Sequence, residues 1–119
     1  MEINRINNMD ATITFEDFVK IDIRVGTITV AEEVPKSKLL KLDVNFGTEI
    51  GTRTILAGIA KDFEGNLGAL LGQQIVAVVN LPPREMKGIM SNGMILACHG
   101  IDNKIALVSC AAPDGAKVG

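Results

Sequence analysis

The feature that most limits the folds open to this chain is a change of phase in its first strand-like run. Ile21, Ile23 and Val25 alternate with Asp22 and Arg24, the two-residue period of a half-buried strand. Past Gly26-Thr27 the apolar residues fall at Ile28 and Val30, so the alternation has slipped by one residue. A β-bulge produces such a slip, and a glycine gives the backbone room to bend there. A long strand that bends at a glycine can serve two sides of a small closed barrel.

The rest of the pattern fits a barrel. Thr14-Phe15-Glu16-Asp17-Phe18 predicts a short helical turn capped by Thr14, with Phe15 and Phe18 on one core-directed face. Pro35-Lys36-Ser37-Lys38 makes a turn. Leu40, Leu42, Val44 and Phe46 then alternate with Lys41, Asp43 and Asn45 as a second strand. Gly47–Gly51 reads as a hairpin loop and Arg53–Ile59 as a third strand. Between Asp62 and Gly72, leucines at helical spacing are interrupted by glycines, so any helix there is short. Gln74–Asn80 and Gly93–Cys98 are strands four and five; Ile105–Val108 follows a further turn. Three strands, a short helix and two strands is the order of an OB-fold, all-β, a five-stranded barrel with terminal extensions. Residues 1–12 show no clean period and are expected to form an arm, with the domain spanning 13–119.

At 119 residues, an apolar content of 47% is high for so small a body: either the core is unusually well filled or apolar surface is buried against another chain, and the second is favoured. No stretch is long enough to span a membrane, and Met1-Glu2-Ile3-Asn4-Arg5 lacks the layout of a signal peptide. Two cysteines are too few for a disulfide framework, which points to a reduced, cytoplasmic protein. Catalysis is hard to build here, with one histidine, no tyrosine and no tryptophan. Cys98 and His99 are strand neighbours on opposite faces and form no dyad; Cys98 is expected to pack inward as a slow-reacting structural thiol, with His99 outward. No spacing suits a zinc site, and no motif calls for a cofactor.

The net charge of −2 argues against indiscriminate binding to polyanions, yet its distribution is uneven. Met1–Glu33 holds three cations against seven anions, whereas Val34–Lys61 holds five cations (Lys36, Lys38, Lys41, Arg53, Lys61) against two. Further along, Arg84 and Lys87 occupy a loop after Leu81-Pro82-Pro83, and Ser91-Asn92-Gly93 leads into the last core strand. Cations and small hydrogen-bonding groups at the mouth of core strands suit a phosphate-rich ligand. With only four phenylalanines, three of them assigned to the core, base stacking is not the expected source of affinity. Backbone and shape recognition of a structured RNA remains, with tRNA the natural candidate.

Several segments carry a resemblance. Ile13–Phe18 followed by Lys20-Ile21-Asp22-Ile23-Arg24-Val25-Gly26, then Lys38–Leu42, Ala57–Ala60 and above all Ser91-Asn92-Gly93-Met94-Ile95-Leu96 resemble the tRNA-binding OB-fold domain of methionyl-tRNA synthetases. The resemblance implies a homodimeric, non-catalytic tRNA-binding module, free-standing or attached to a synthetase. It also implies Lys38, Ser91 and Met94 as tRNA contacts. Lys36, Arg84, Lys87 and Asn92 join them by charge, chemistry and place. Phe46–Gly51 and Leu81–Arg84 are more similar to the related CsaA chaperones, which implies a rival role in binding unfolded polypeptide. Met86, Met90 and Met94 would then supply an adaptable apolar surface.

Overall fold

The computed structural model describes residues 11–119; most of the expected arm, residues 1–10, lies outside that range. A short helix α1 (Phe15–Phe18) precedes β1 (Ile23–Glu33), β2 (Leu40–Asn45), a helical turn α2 (Gly47–Ile50) and β3 (Thr52–Ala57). Two 3-10 turns, Ala60–Phe63 and Leu67–Leu70, lead to β4 (Gln74–Val78). Then come β5 (Arg84–Met86), β6 (Ile89–Ser91), β7 (Met94–Ile95), β8 (Ala97–His99), β9 (Ile105–Leu107) and β10 (Lys117–Val118). The main sheet runs β3-β2-β1-β4-β7, all antiparallel, and curls into a nearly closed five-stranded barrel. The pairs β5–β6 and β8–β9 are separate hairpins, and β10 adds to β1. Among the described residues no helix is long and apolar enough to cross a membrane.

Leu40, Leu42, Val44 and Phe46 are fully buried, as the alternation of β2 requires, and meet Ile28, Ile55, Leu70 and Ile75 in the barrel core. The bend in β1 is real, but it sits at Thr29 rather than at Gly26-Thr27. Ile28 pairs with Val44 and Val30 with Asp43, which leaves Thr29 as the extra residue. Gly26 answers a different need. A Cβ there would stand 2.6 Å from Val44 Cγ1 and 2.7 Å from Phe46 Cδ1, so glycine is what lets Phe46 fill the barrel. Val25 belongs to the other face. It pairs with Val76, and both are buried beneath the C-terminal segment, where Val25 N–H donates to Ala116 O and Gly115 N–H to Val25 O. Asp114 accepts from Thr27 Oγ1 at 2.6 Å and from Gln74 Nε2 at 3.3 Å, fastening the segment to the outside of β1 and β4. The apparent early slip thus comes from a strand buried on both sides, a pattern that hides its own period.

Arg24 closes the end of the barrel beside α2. Its guanidinium meets Asp22 at 2.7 Å, Glu49 at 3.3 Å and Gly115 O at 3.0 Å, and the hydrogen bond to Asp22 chiefly raises its already high pKa.

Three side chains depart from expectation. Thr14 caps α1 as predicted, accepting from Asp17 N–H at 3.1 Å, yet Phe15 and Phe18 are 74% and 38% exposed. A helix this short, lying outside the barrel, cannot carry them into the core, so of the three core-assigned phenylalanines only Phe46 is there. Cys98 is exposed, as is Cys110. The run Met94–Cys98 is not one core strand: it breaks at Leu96, and Cys98 lies on the outlying β8–β9 hairpin. The expected slow-reacting core thiol is therefore incorrect, whereas His99 is exposed as expected.

Candidate nucleic-acid interface

β1 is long enough, at 11 residues and about 3.3 Å per residue, to separate two surfaces of different character. Near its start lies an apolar patch. Phe15, Phe18, Val19 and Ile21 surround a hollow of about 230 Å³ with Val118. Asn80 ties the chain after β4 to the approach to β1, accepting from Asp22 N–H at 2.9 Å and donating to Lys20 O at 2.6 Å.

Cations collect at the other end of β1. Of the five in Val34–Lys61, two are diverted: Lys41 pairs with Glu32 at 3.7 Å, and Arg53 donates to Val79 O at the barrel wall. Lys36, Lys38 and Lys61 remain exposed and line one cleft of about 310 Å³ between the β1–β2 turn and the first 3-10 turn. The turn is fixed. Ser37 Oγ donates to Val34 O at 2.7 Å and accepts from Leu39 N–H at 3.1 Å, and Ala60 N–H reaches Lys38 O at 3.1 Å. Lys36 adopts φ +58°, a left-handed conformation that glycine or asparagine usually occupies. Lys61 shares the cleft, although in sequence it stands only as one member of a charged run; the contact between the turn and the 3-10 turn has no sequence signal.

Arg84 and Lys87 do not lie on an irregular loop. They belong to the β5–β6 hairpin, where Met86 pairs with Ile89 across a two-residue turn of Lys87 and Gly88, both with positive φ. This is the turn geometry that suits right-handed strand twist. The hairpin lies along β3. Asn92 N–H donates to Thr54 O at 2.8 Å, and Leu56 N–H donates to Ser91 Oγ at 2.9 Å. Since the chain runs antiparallel to β3, the Lys87 turn is directed toward the Ala57 end, the end where Lys38 and Lys61 lie.

Ser91 is 4% exposed, the one buried polar residue among the described residues. Its hydroxyl seals the seam between β3 and the strand leading to β7, and donates in turn to Gly93 O at 3.4 Å. Asn92 is half-exposed, with its backbone in the same seam. Met94 is 48% exposed and forms the ridge between two apolar hollows of about 250 Å³ each. One also holds Arg84, Met86 and Leu81; the other holds His99 and Ile105. Lys36, Lys38, Arg84, Lys87 and Met94 are thus exposed, whereas Ser91 is enclosed. Among the described residues, no three His, Cys, Asp or Glu side chains gather to hold a metal.

Residues 23–119 match the family described as "Putative tRNA binding domain". The chain is 46% identical over 101 residues to the methionine–tRNA ligase of Porphyromonas gingivalis, which spans 84% of this chain but 14% of that protein. It is similarly 46% identical over 105 residues to the ligase of Chloroherpeton thalassium, again 14% of that protein's length. Among solved structures, the MetRS related protein from Pyrococcus horikoshii superposes with a TM-score of 0.82 at 33% identity, covering 91% of this chain and 98% of that one. The chaperone CsaA from Bacillus anthracis superposes with a TM-score of 0.79 at 38% identity, covering 92% and 100%. The chain belongs to the tRNA-binding domain family.

Proposed function

We propose that this domain is a non-catalytic tRNA-binding module that holds the folded RNA by its backbone, either free-standing or attached to a methionyl-tRNA synthetase. The observation that carries the proposal is the gathering of Lys36, Lys38 and Lys61 at one end of an acidic chain, with the Lys87 turn directed to the same end. Such a surface supplies charge without base-reading geometry, so it binds RNA by position and shape rather than sequence. Phe15 and Phe18 are exposed, but they sit with aliphatic residues at the far end of β1 and offer no stacking platform beside the lysines. That apolar patch is the surface on which we place a homodimer contact, leaving the basic end open in both copies. The module's place in this reading is the cytoplasm.

In this account Ser91 and Asn92 shape the interface by closing the barrel, while Lys36, Lys38, Arg84 and Lys87 face the RNA and Met94 packs against it. Lys38→Ala or Arg84→Ala should weaken binding to all tRNAs alike in filter-binding titrations, and each should lower the salt dependence by about one unit. Unchanged affinity in both variants would contradict the proposed interface. A second reading is favoured by the two hollows flanking Met94: an unfolded polypeptide seated there, as the name of the Bacillus anthracis relative invites. It predicts salt-tolerant binding lost on truncating Met86, Met90 or Met94.

A further inference from the structure

The cleft that gathers three lysines also contains two carboxylates, an odd composition for a site that only attracts phosphate. Glu33 and Glu64 line the same walls as Lys36, Lys38 and Lys61. Both are exposed, and among the described residues neither is ion-paired with any of the three lysines. A carboxylate beside a polyanion repels it and lowers affinity unless the ligand brings a hydrogen-bond donor, because an ionised carboxylate only accepts. Along a nucleic-acid backbone the ribose 2′-hydroxyl is such a donor, and DNA lacks it.

We propose that this cleft is where the domain distinguishes RNA from DNA. Lys36, Lys38 and Lys61 hold backbone phosphates, and Glu33 and Glu64 accept hydrogen bonds from 2′-hydroxyls between them. The inference rests on the tRNA-binding reading and assigns that site its specificity. The cleft is suited to the task because its walls are fixed before binding. Val34 N–H donates to Leu39 O and Ala60 N–H to Lys38 O, each at 3.1 Å, so the lysine and glutamate stems start from set positions.

The test uses one tRNA acceptor-arm hairpin made in three forms: RNA, fully 2′-O-methylated RNA, and DNA. Methylation keeps the backbone charge and removes the 2′ donor. Wild type should prefer RNA to the methylated form by roughly 3–10-fold, the worth of a charge-assisted hydrogen bond discounted for exposure. Glu33→Ala with Glu64→Ala removes both acceptors and should bring that ratio close to one while tightening binding to the methylated RNA and DNA. Lys61→Ala should weaken all three forms and lower the salt slope by about one. All three positions are exposed, so the variants should keep the wild-type fold, checked by their urea midpoints. A wild-type ratio of one, a ratio the double variant leaves unchanged, or equal tightening on RNA and methylated RNA would each overturn the inference. Wild type that binds none of the three forms, nor tRNA, would overturn the tRNA reading beneath it as well.

Discussion

Ser91→Ala removes a single oxygen and, on this structure, unpins the seam of the barrel. The Leu56 N–H that donates to Ser91 Oγ at 2.9 Å lies on the edge of β3, where no other strand pairs with it, and Leu56 is 6% exposed. Alanine leaves this N–H without a partner in a space made by the loss of one hydroxyl, too small to admit a water. An orphaned buried donor costs about 1–3 kcal/mol. The second hydrogen bond, to Gly93 O at 3.4 Å, is long and adds little. A loss of about 2 kcal/mol is therefore expected, which for a domain of this size lowers the melting temperature by roughly 6–12 °C. Urea denaturation of wild type and variant reads the free energy, and tRNA titration well below the variant's midpoint reads the affinity. Full stability with sharply reduced affinity would instead mean that the hydroxyl serves the ligand and not the seam.

Other consequences are simpler to read. Lys36 sits at φ +58°, which asparagine tolerates better, so Lys36→Asn should leave stability unchanged or raise it by up to about 1 kcal/mol while weakening tRNA binding. A loss in both would place Lys36 in the scaffold instead. Phe15→Ser with Phe18→Ser should shift sedimentation from dimer to monomer at micromolar concentration without lowering the urea midpoint of the barrel; a wild type already monomeric at that concentration would remove the dimer proposal. Cys98, exposed on β8, should react with iodoacetamide in the native protein at a rate close to that of the unfolded chain. Strong protection would show that another chain covers it.

The barrel was legible because β2 carries an uninterrupted alternation that only one face can bury, and because the continuous apolar run of β4 suits a strand buried on both faces. Legibility failed where burial depended on elements distant in sequence. Val25 looked like a core residue of the same face as Ile23, yet it is buried by a segment about ninety residues later, through Gly115 and Ala116. Phe15 and Phe18 share a helical face as read, but a pattern cannot say whether that face meets the barrel or another molecule. At the site, the cations are visible by charge, whereas a Lys87-Gly88 turn is a weaker hairpin signal than Asn-Gly and gives no alternation around it to mark the strands. Ser91 stands in the most specific motif. Its burial follows from the hydrogen bond to Leu56, thirty-five residues away, which no local rule anticipates.

An acidic protein that holds tRNA through a small set of exposed cations must bind it more weakly as salt rises, so the decisive measurement is the salt dependence of wild-type binding. Lys36, Lys38, Lys61, Arg84 and Lys87 would each displace a counterion, so a plot of log affinity against log salt should fall with a slope of about −3 to −5. Little change with salt, or no tRNA binding at low salt together with suppressed aggregation of an unfolded client, would contradict it.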